Sequence, residues 1–62
     1  SQDVKKLQYI LKFLELYTKP IDDIFGPGVE AAIKSFQIQR KLPVTGIYDK
    51  ATKDKLFLIF NE

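Results

Sequence analysis

The sequence predicts an all-α domain: a compact three-helix fold with long connections whose apolar residues plug the core. Three observations carry this. Apolar residues recur at helical spacing in three separate segments. Turn-forming Pro, Gly and Asp residues fall between those segments. A six-residue phrase occurs twice, as Pro20-Ile21-Asp22-Asp23-Ile24-Phe25 and, 23 residues later, as Pro43-Val44-Thr45-Gly46-Ile47-Tyr48. Each copy runs into a helix-like segment, so the chain divides into one leading helix and two similar turn-plus-helix units.

The first helix is expected over residues 3 to about 17. Val4, Leu7, Leu11 and Leu14 share one face, Ile10, Phe13 and Tyr17 widen it, and Lys5, Lys6, Lys12 and Glu15 fill the other side. Asp3, or Ser1, is the candidate N-cap. The stretch from Leu14 to Tyr17 lacks a glycine stop, which predicts frayed or tightened geometry, and Pro20 disfavours helix at Lys19. In the connection that follows, Ile21, Ile24 and Phe25 are too apolar for a free loop and are expected to fold back onto the core. The second helix is expected over 27 to about 40. Pro27 suits a first turn, where its missing N–H leaves no bond unmade, and Glu30 complements the helix dipole. Val29, Ile33 and Phe36 form the inner stripe, with small Ala32 beside it, and Gln37, Gln39, Arg40 and Lys41 read as the wet side. After Leu42 to Tyr48, Asp49 is the N-cap candidate for a third helix over about 50 to 60. Thr52, Leu56, Ile59 and Phe60 supply its inner face, and Phe57 and Leu58 are surplus apolar residues. The short extended pieces in the two connections are not expected to form a real sheet.

Size and composition narrow the function. A 62-residue chain is one domain that buries only about 60% of its unfolded surface, which leaves little room for a core and a deep cleft together. Cysteine and histidine are both absent, so there is no disulfide, no thiolate nucleophile, and neither the commonest general base nor the commonest metal ligand. No catalytic group, metal or cofactor is expected. The net charge is +2 with both signs mixed along the chain. The Lys50, Lys53, Lys55 cluster is broken by Asp54 and reads as a solvated face. No apolar run approaches the roughly 20 residues that span a bilayer, and no signal peptide is visible. The chain also lacks an initiator Met and reads as a domain from a longer protein.

At this point the residues resemble a known family, the bacterial peptidoglycan-binding domain, a small three-helix module attached to cell-wall amidases, muramidases, peptidases and spore-cortex enzymes. The carriers are Val4-Lys5-Lys6-Leu7-Gln8 with Leu11 and Leu14, Pro20-Ile21-Asp22, Ile24-Phe25-Gly26-Pro27, Glu30-Ala31-Ala32-Ile33-Lys34, Phe36-Gln37, Leu42-Pro43-Val44-Thr45-Gly46, Tyr48-Asp49 and Ala51-Thr52. Together they cover about residues 3 to 57. Four departures stand out. The family usually has Gly where this chain has Glu15, Lys19 and Asp23, which predicts a somewhat different loop path, and it usually has Thr where Val29 stands. The fold also resembles the prodomain of matrix metalloproteinases, but a chain without Cys offers no cysteine switch.

The resemblance implies a noncatalytic module that holds a tethered hydrolase at peptidoglycan, outside the cell or at the wall, whether bacterial or phage-encoded, and acting as a monomer. The candidate ligand-binding residues are Asp22, Asp23, Phe25, Gly26, Arg40, Tyr48 and Asp49. The aspartates serve capping and turns, or accept hydrogen bonds from a stem peptide. Phe25 and Tyr48 hold equivalent places in the two phrases, Gly26 admits a close backbone, and Arg40 can pair with a carboxylate or an anionic wall polymer. An acid/base pair for glycoside cleavage is disfavoured by the short chain. Two rivals remain. A nucleic-acid-binding three-helix domain is opposed by connections longer than the three or four residues of a helix-turn-helix. A docking module that packs on its parent enzyme is kept open by Phe57, Leu58 and Phe60.

Overall fold

A computed structural model describes the backbone of residues 2–60 and the side chains of residues 4–59. Three helices follow one another: α1 (Gln2–Phe13), α2 (Pro27–Gln39) and α3 (Lys50–Phe60). No strand forms among the described residues. The three-helix expectation holds, and the bounds of α2 and α3 fall within a residue of those read from the periodicity. The core is Leu7 and Leu11 of α1, Val29, Ala32, Ile33 and Phe36 of α2, Leu56 of α3, and Tyr17 from the first connection. Ile10, Leu14, Leu16, Ile21, Leu42, Tyr48 and Ile59 pack around it half-buried. The chain measures 27 × 23 × 20 Å along its principal axes.

α1 is shorter than its apolar pattern suggests. It stops at Phe13, and the next three residues turn. Glu15 has φ 64°, its amide donates to the Lys12 carbonyl (2.9 Å) and the Leu16 amide donates to the Leu11 carbonyl (2.9 Å). This is a Schellman stop, built here on a glutamate in the left-handed region that glycine usually fills. α2 ends the same way: Lys41 has φ 58°, its amide reaches the Ile38 carbonyl and the Leu42 amide reaches the Gln37 carbonyl. Asp23 too has φ 60°. The backbone at Glu15 and Asp23 therefore adopts the left-handed conformation without glycine, so the missing glycines appear as local strain rather than as a loop avoiding those angles. Lys19 stays at negative φ.

Other expectations are corrected by burial. Phe13 is 75% exposed, because two residues on from the buried Leu11 a helix turns its side chain to the opposite side. Ile24 and Phe25 are 62% and 43% exposed, so of the first connection's three apolar residues only Ile21 packs on the core. Tyr17, beyond the helix, is buried. Gln37, read as wet, is fully buried, as is Gln8. Phe57 and Leu58 both face outward. The side chains of Asp3 and Phe60, and all of Ser1, lie outside the described residues.

Candidate functional site: two loops clamped by buried glutamines

The repeated phrase forms a repeated structure. Gln8 of α1 and Gln37 of α2 each point inward and hold the loop that follows. The Gln8 Oε1 accepts from the amides of Asp22 (3.2 Å) and Asp23 (2.9 Å), and its Nε2 donates to the Ile24 carbonyl (3.0 Å) and Asp22 Oδ1 (2.8 Å). The Gln37 Oε1 accepts from the amides of Thr45 (2.9 Å) and Gly46 (3.0 Å), and its Nε2 donates to the Ile47 carbonyl (3.2 Å) and Thr45 Oγ1 (3.0 Å). Position for position, the two clamps are the same. A primary amide suits this task because it accepts and donates from one rigid plane.

The turn inside each clamp also repeats. The Ile24 amide donates to Asp22 Oδ1 (3.0 Å), and the Ile47 amide donates to Thr45 Oγ1 (3.1 Å). The next backbone position is left-handed in both, at Asp23 and at Gly46 (φ 73°). Glycine is favoured at the second site: a Cβ there would lie 2.9 Å from the Lys34 side chain and 3.1 Å from that of Glu30, which would have to move aside. The last contact of each clamp differs. In the second unit, Gln37 Nε2 also donates to the buried Thr52 hydroxyl (2.9 Å). In the first, the residue equivalent to Thr52 is Val29, and Gln8 Nε2 turns to the Tyr17 hydroxyl (3.3 Å), which itself donates to the Pro20 carbonyl (2.7 Å). Tyr17 supplies the hydroxyl that Val29 lacks.

The predicted site residues are placed as follows. Asp22 and Gly26 line one cavity of about 320 Å³, together with Tyr17, Lys19, Ile24 and Gly28. Asp23 accepts from the Lys5 amide near the start of α1 (3.1 Å). Phe25 is part-exposed beside that loop. Gly26 is also the N-cap of α2, its carbonyl receiving the Glu30 amide (3.0 Å). Tyr48 lines a second cavity of about 220 Å³, with Lys6, Leu7, Ile10 and Lys53. Asp49 caps α3 through the Thr52 amide (3.0 Å) and accepts from the Thr45 hydroxyl (3.2 Å). Arg40 stands apart, its guanidinium 5.8 Å from the centre of the Phe36 ring. The structure thus brings Asp22 and Gly26 together, and separates them from the cavity of Tyr48 and from Arg40.

Two carboxylates carry an electrostatic signature. The Gln8 amide, and then the Ile24 backbone N–H, hold Asp22 below the usual carboxylate range. The Thr52 backbone N–H, then its hydroxyl, do the same for Asp49. Both are charged acceptors at neutral pH, whereas a general acid needs a raised pKa. Burial, then the charge of Asp22, pushes the Tyr17 phenol up. Among the described residues no cluster of three or more carboxylates could hold a metal ion, and no helix is long and apolar enough to cross a membrane.

The residues that matter most to the loops, Gln8 and Gln37, were not singled out from sequence. A signal was present: Gln8 follows Val4 at i+4 and precedes Leu11 at i+3, and Gln37 follows Ile33 at i+4, so both sit on the apolar stripe.

Three short helices joined by two glutamine-clamped loops define a small all-α module, and comparison with known proteins gives its family. The model of a family described as "Putative peptidoglycan binding domain" matches residues 1–56, and the chain belongs to that family. It is similar to a spore cortex-lytic enzyme of Oceanobacillus iheyensis, at 38% identity over 90% of this chain and 20% of that protein. It is similar to the spore cortex-lytic enzyme of Bacillus cereus, at 40% identity over 90% of this chain and 22% of that protein. It also matches a Nostoc punctiforme protein named "Putative OxPP cycle protein OpcA", at 40% identity over 94% of this chain and 12% of that protein. The chain thus spans about a fifth or less of these relatives. No solved structure matches it significantly.

Proposed function

We propose that this chain is a noncatalytic peptidoglycan-binding module that holds a tethered hydrolase at the cell wall. The observation that carries the reading is the family match over residues 1–56, with wall-lytic enzymes among the relatives. The site chemistry agrees with it. Both loop carboxylates are held in their charged form, whereas acid catalysis on a glycan needs a carboxyl group with a raised pKa. Binding to an insoluble substrate would raise the effective concentration of an attached enzyme there. The module acts outside the cell or at the wall, as a monomer, with no nucleic-acid role. Its candidate binding surfaces are two separate patches, the Asp22–Gly26 loop and the Tyr48–Asp49 junction.

The test is retention of the purified chain on insoluble peptidoglycan sacculi at low and at high salt. Retention at both supports wall recognition. Loss at high salt reduces it to charge attraction. Absence at both favours a second reading, in which the chain docks on its parent enzyme through outward-facing Phe57 and Leu58.

A further inference from the structure

The cavity around Tyr48 differs in character from the one beside Asp22. Among the described residues its lining is aliphatic from Leu7 and Ile10 of α1 and aromatic from Tyr48, and the charged residues there are cationic: Lys6 of α1 and Lys53 of α3. The Lys53 ammonium lies 5.8 Å from the centre of the Tyr48 ring, which stations it over the cavity wall. The ion pairs among the described residues are Glu30–Lys34 and Lys50–Asp54, and neither involves Lys6 or Lys53. The acid one helical turn before Lys53, Asp49, has its carboxylate committed to the Thr52 amide and the Thr45 hydroxyl. A carboxylate placed in this cavity would be attracted by both cations. The volume, about 220 Å³, is below the roughly 300–1,000 Å³ of sites for drug-sized ligands. It suits one small residue better than a disaccharide.

We infer that this cavity is a subsite for a short aliphatic residue ending in a carboxylate, the chemistry of a free C-terminal alanine on a stem peptide. Its methyl group lies on Leu7 and Ile10, and its carboxylate meets Lys6 and Lys53 beside Tyr48. The inference rests on the wall-binding reading above and gives it a polarity: the peptide, not the sugar, is read at this end of the domain.

The test is an NMR titration of the chain with three probes: a stem tetrapeptide with a free terminal carboxylate, the same peptide with its C-terminus amidated, and a soluble glycerol-phosphate polymer. The free acid is expected to shift the Tyr48 ring and the Lys6 and Lys53 signals, and amidation to weaken binding by about fivefold. Lys6→Gln with Lys53→Gln, both exposed positions, should weaken the acid by a similar factor and leave the amide unchanged. Equal binding of acid and amide, shifts confined to the Asp22–Gly26 loop, or no shift at all would overturn the inference. So would saturable binding of the phosphate polymer at Tyr48 in place of the peptide. Retention of the double variant on sacculi separates the two levels. If the parent chain is not retained, wall binding itself fails; if parent and double variant are retained equally, only this subsite fails.

Discussion

Replacing Gln37 with methionine is the sharpest probe of what holds the second loop. Methionine nearly matches the volume of glutamine, so the core stays filled and the loss reports hydrogen bonding rather than a cavity. Five hydrogen bonds disappear: two from the Thr45 and Gly46 amides, and three to the Thr45 hydroxyl, the Ile47 carbonyl and the Thr52 hydroxyl. They are not equal. Thr45 and Ile47 are exposed and find water, so their loss costs little. The Thr52 hydroxyl keeps its bond to the Asp49 carboxylate, whereas the Gly46 amide is buried and is left stranded, at about 1–3 kcal/mol. The expected loss is therefore about 2 kcal/mol. A chain of this size has a total stability of only roughly 3–9 kcal/mol, so the variant should sit near its unfolding threshold. Urea denaturation measures the loss, and hydrogen exchange locates it: the Thr45 and Gly46 amides should lose protection before the helices do. A loss below about 1 kcal/mol, or loop amides that stay protected, would refute the clamp.

Glu15→Gly should stabilise the chain by about 0.5–1 kcal/mol, because relief of the left-handed strain exceeds the added flexibility of the unfolded chain; thermal unfolding should show Tm rising by a few degrees. Gly46→Ala should destabilise by about 1–2 kcal/mol from its positive φ, with more if the Lys34 and Glu30 side chains cannot move aside. Asp22 and Asp49 have folded pKa values below their unfolded ones, so their stabilisation is present above the unfolded value and is lost as pH falls through the folded one. Denaturant midpoints should therefore fall as pH drops below about 4, and Asp49→Asn should flatten that slope. In a spectrophotometric titration Tyr17 should ionise above the ordinary tyrosine range.

The helices were legible because their signals are local. Pro27 and Asp49 marked the starts of α2 and α3, and the apolar stripes of Val29, Ile33 and Phe36 and of Thr52 and Leu56 are buried as the spacing implied. The end of α1 was not legible, since its Schellman stop is built on Glu15, a residue with no intrinsic preference for it. The loops misled for a different reason. Ile24 and Phe25 are apolar enough to suggest burial, yet Gln8 fixes the backbone so that they face outward, and that tie spans 14 to 16 residues of sequence. The repeat itself was visible, but its cause was not. Two glutamines on the stripe resemble a wet face until the loops they bind are in place. Of the candidate site, the capping and turn roles of Asp49 and Asp22 followed from residue type, whereas the grouping of Tyr48 with Lys6 and Lys53 depends on how α1 and α3 meet.

The glutamine clamps act largely on main chain: two amides and one carbonyl in each loop, with a single loop side chain, Asp22 or Thr45. The path of each loop is therefore dictated from beneath by the helix, almost without regard to what the loop displays outward. Ile24, Phe25, Val44 and Ile47 face solvent on a frame they do not build, so their identities can change while the frame stands. Such a division between scaffold and lettering lets the outward positions of one small domain be rewritten by substitution, with no need to redesign the fold.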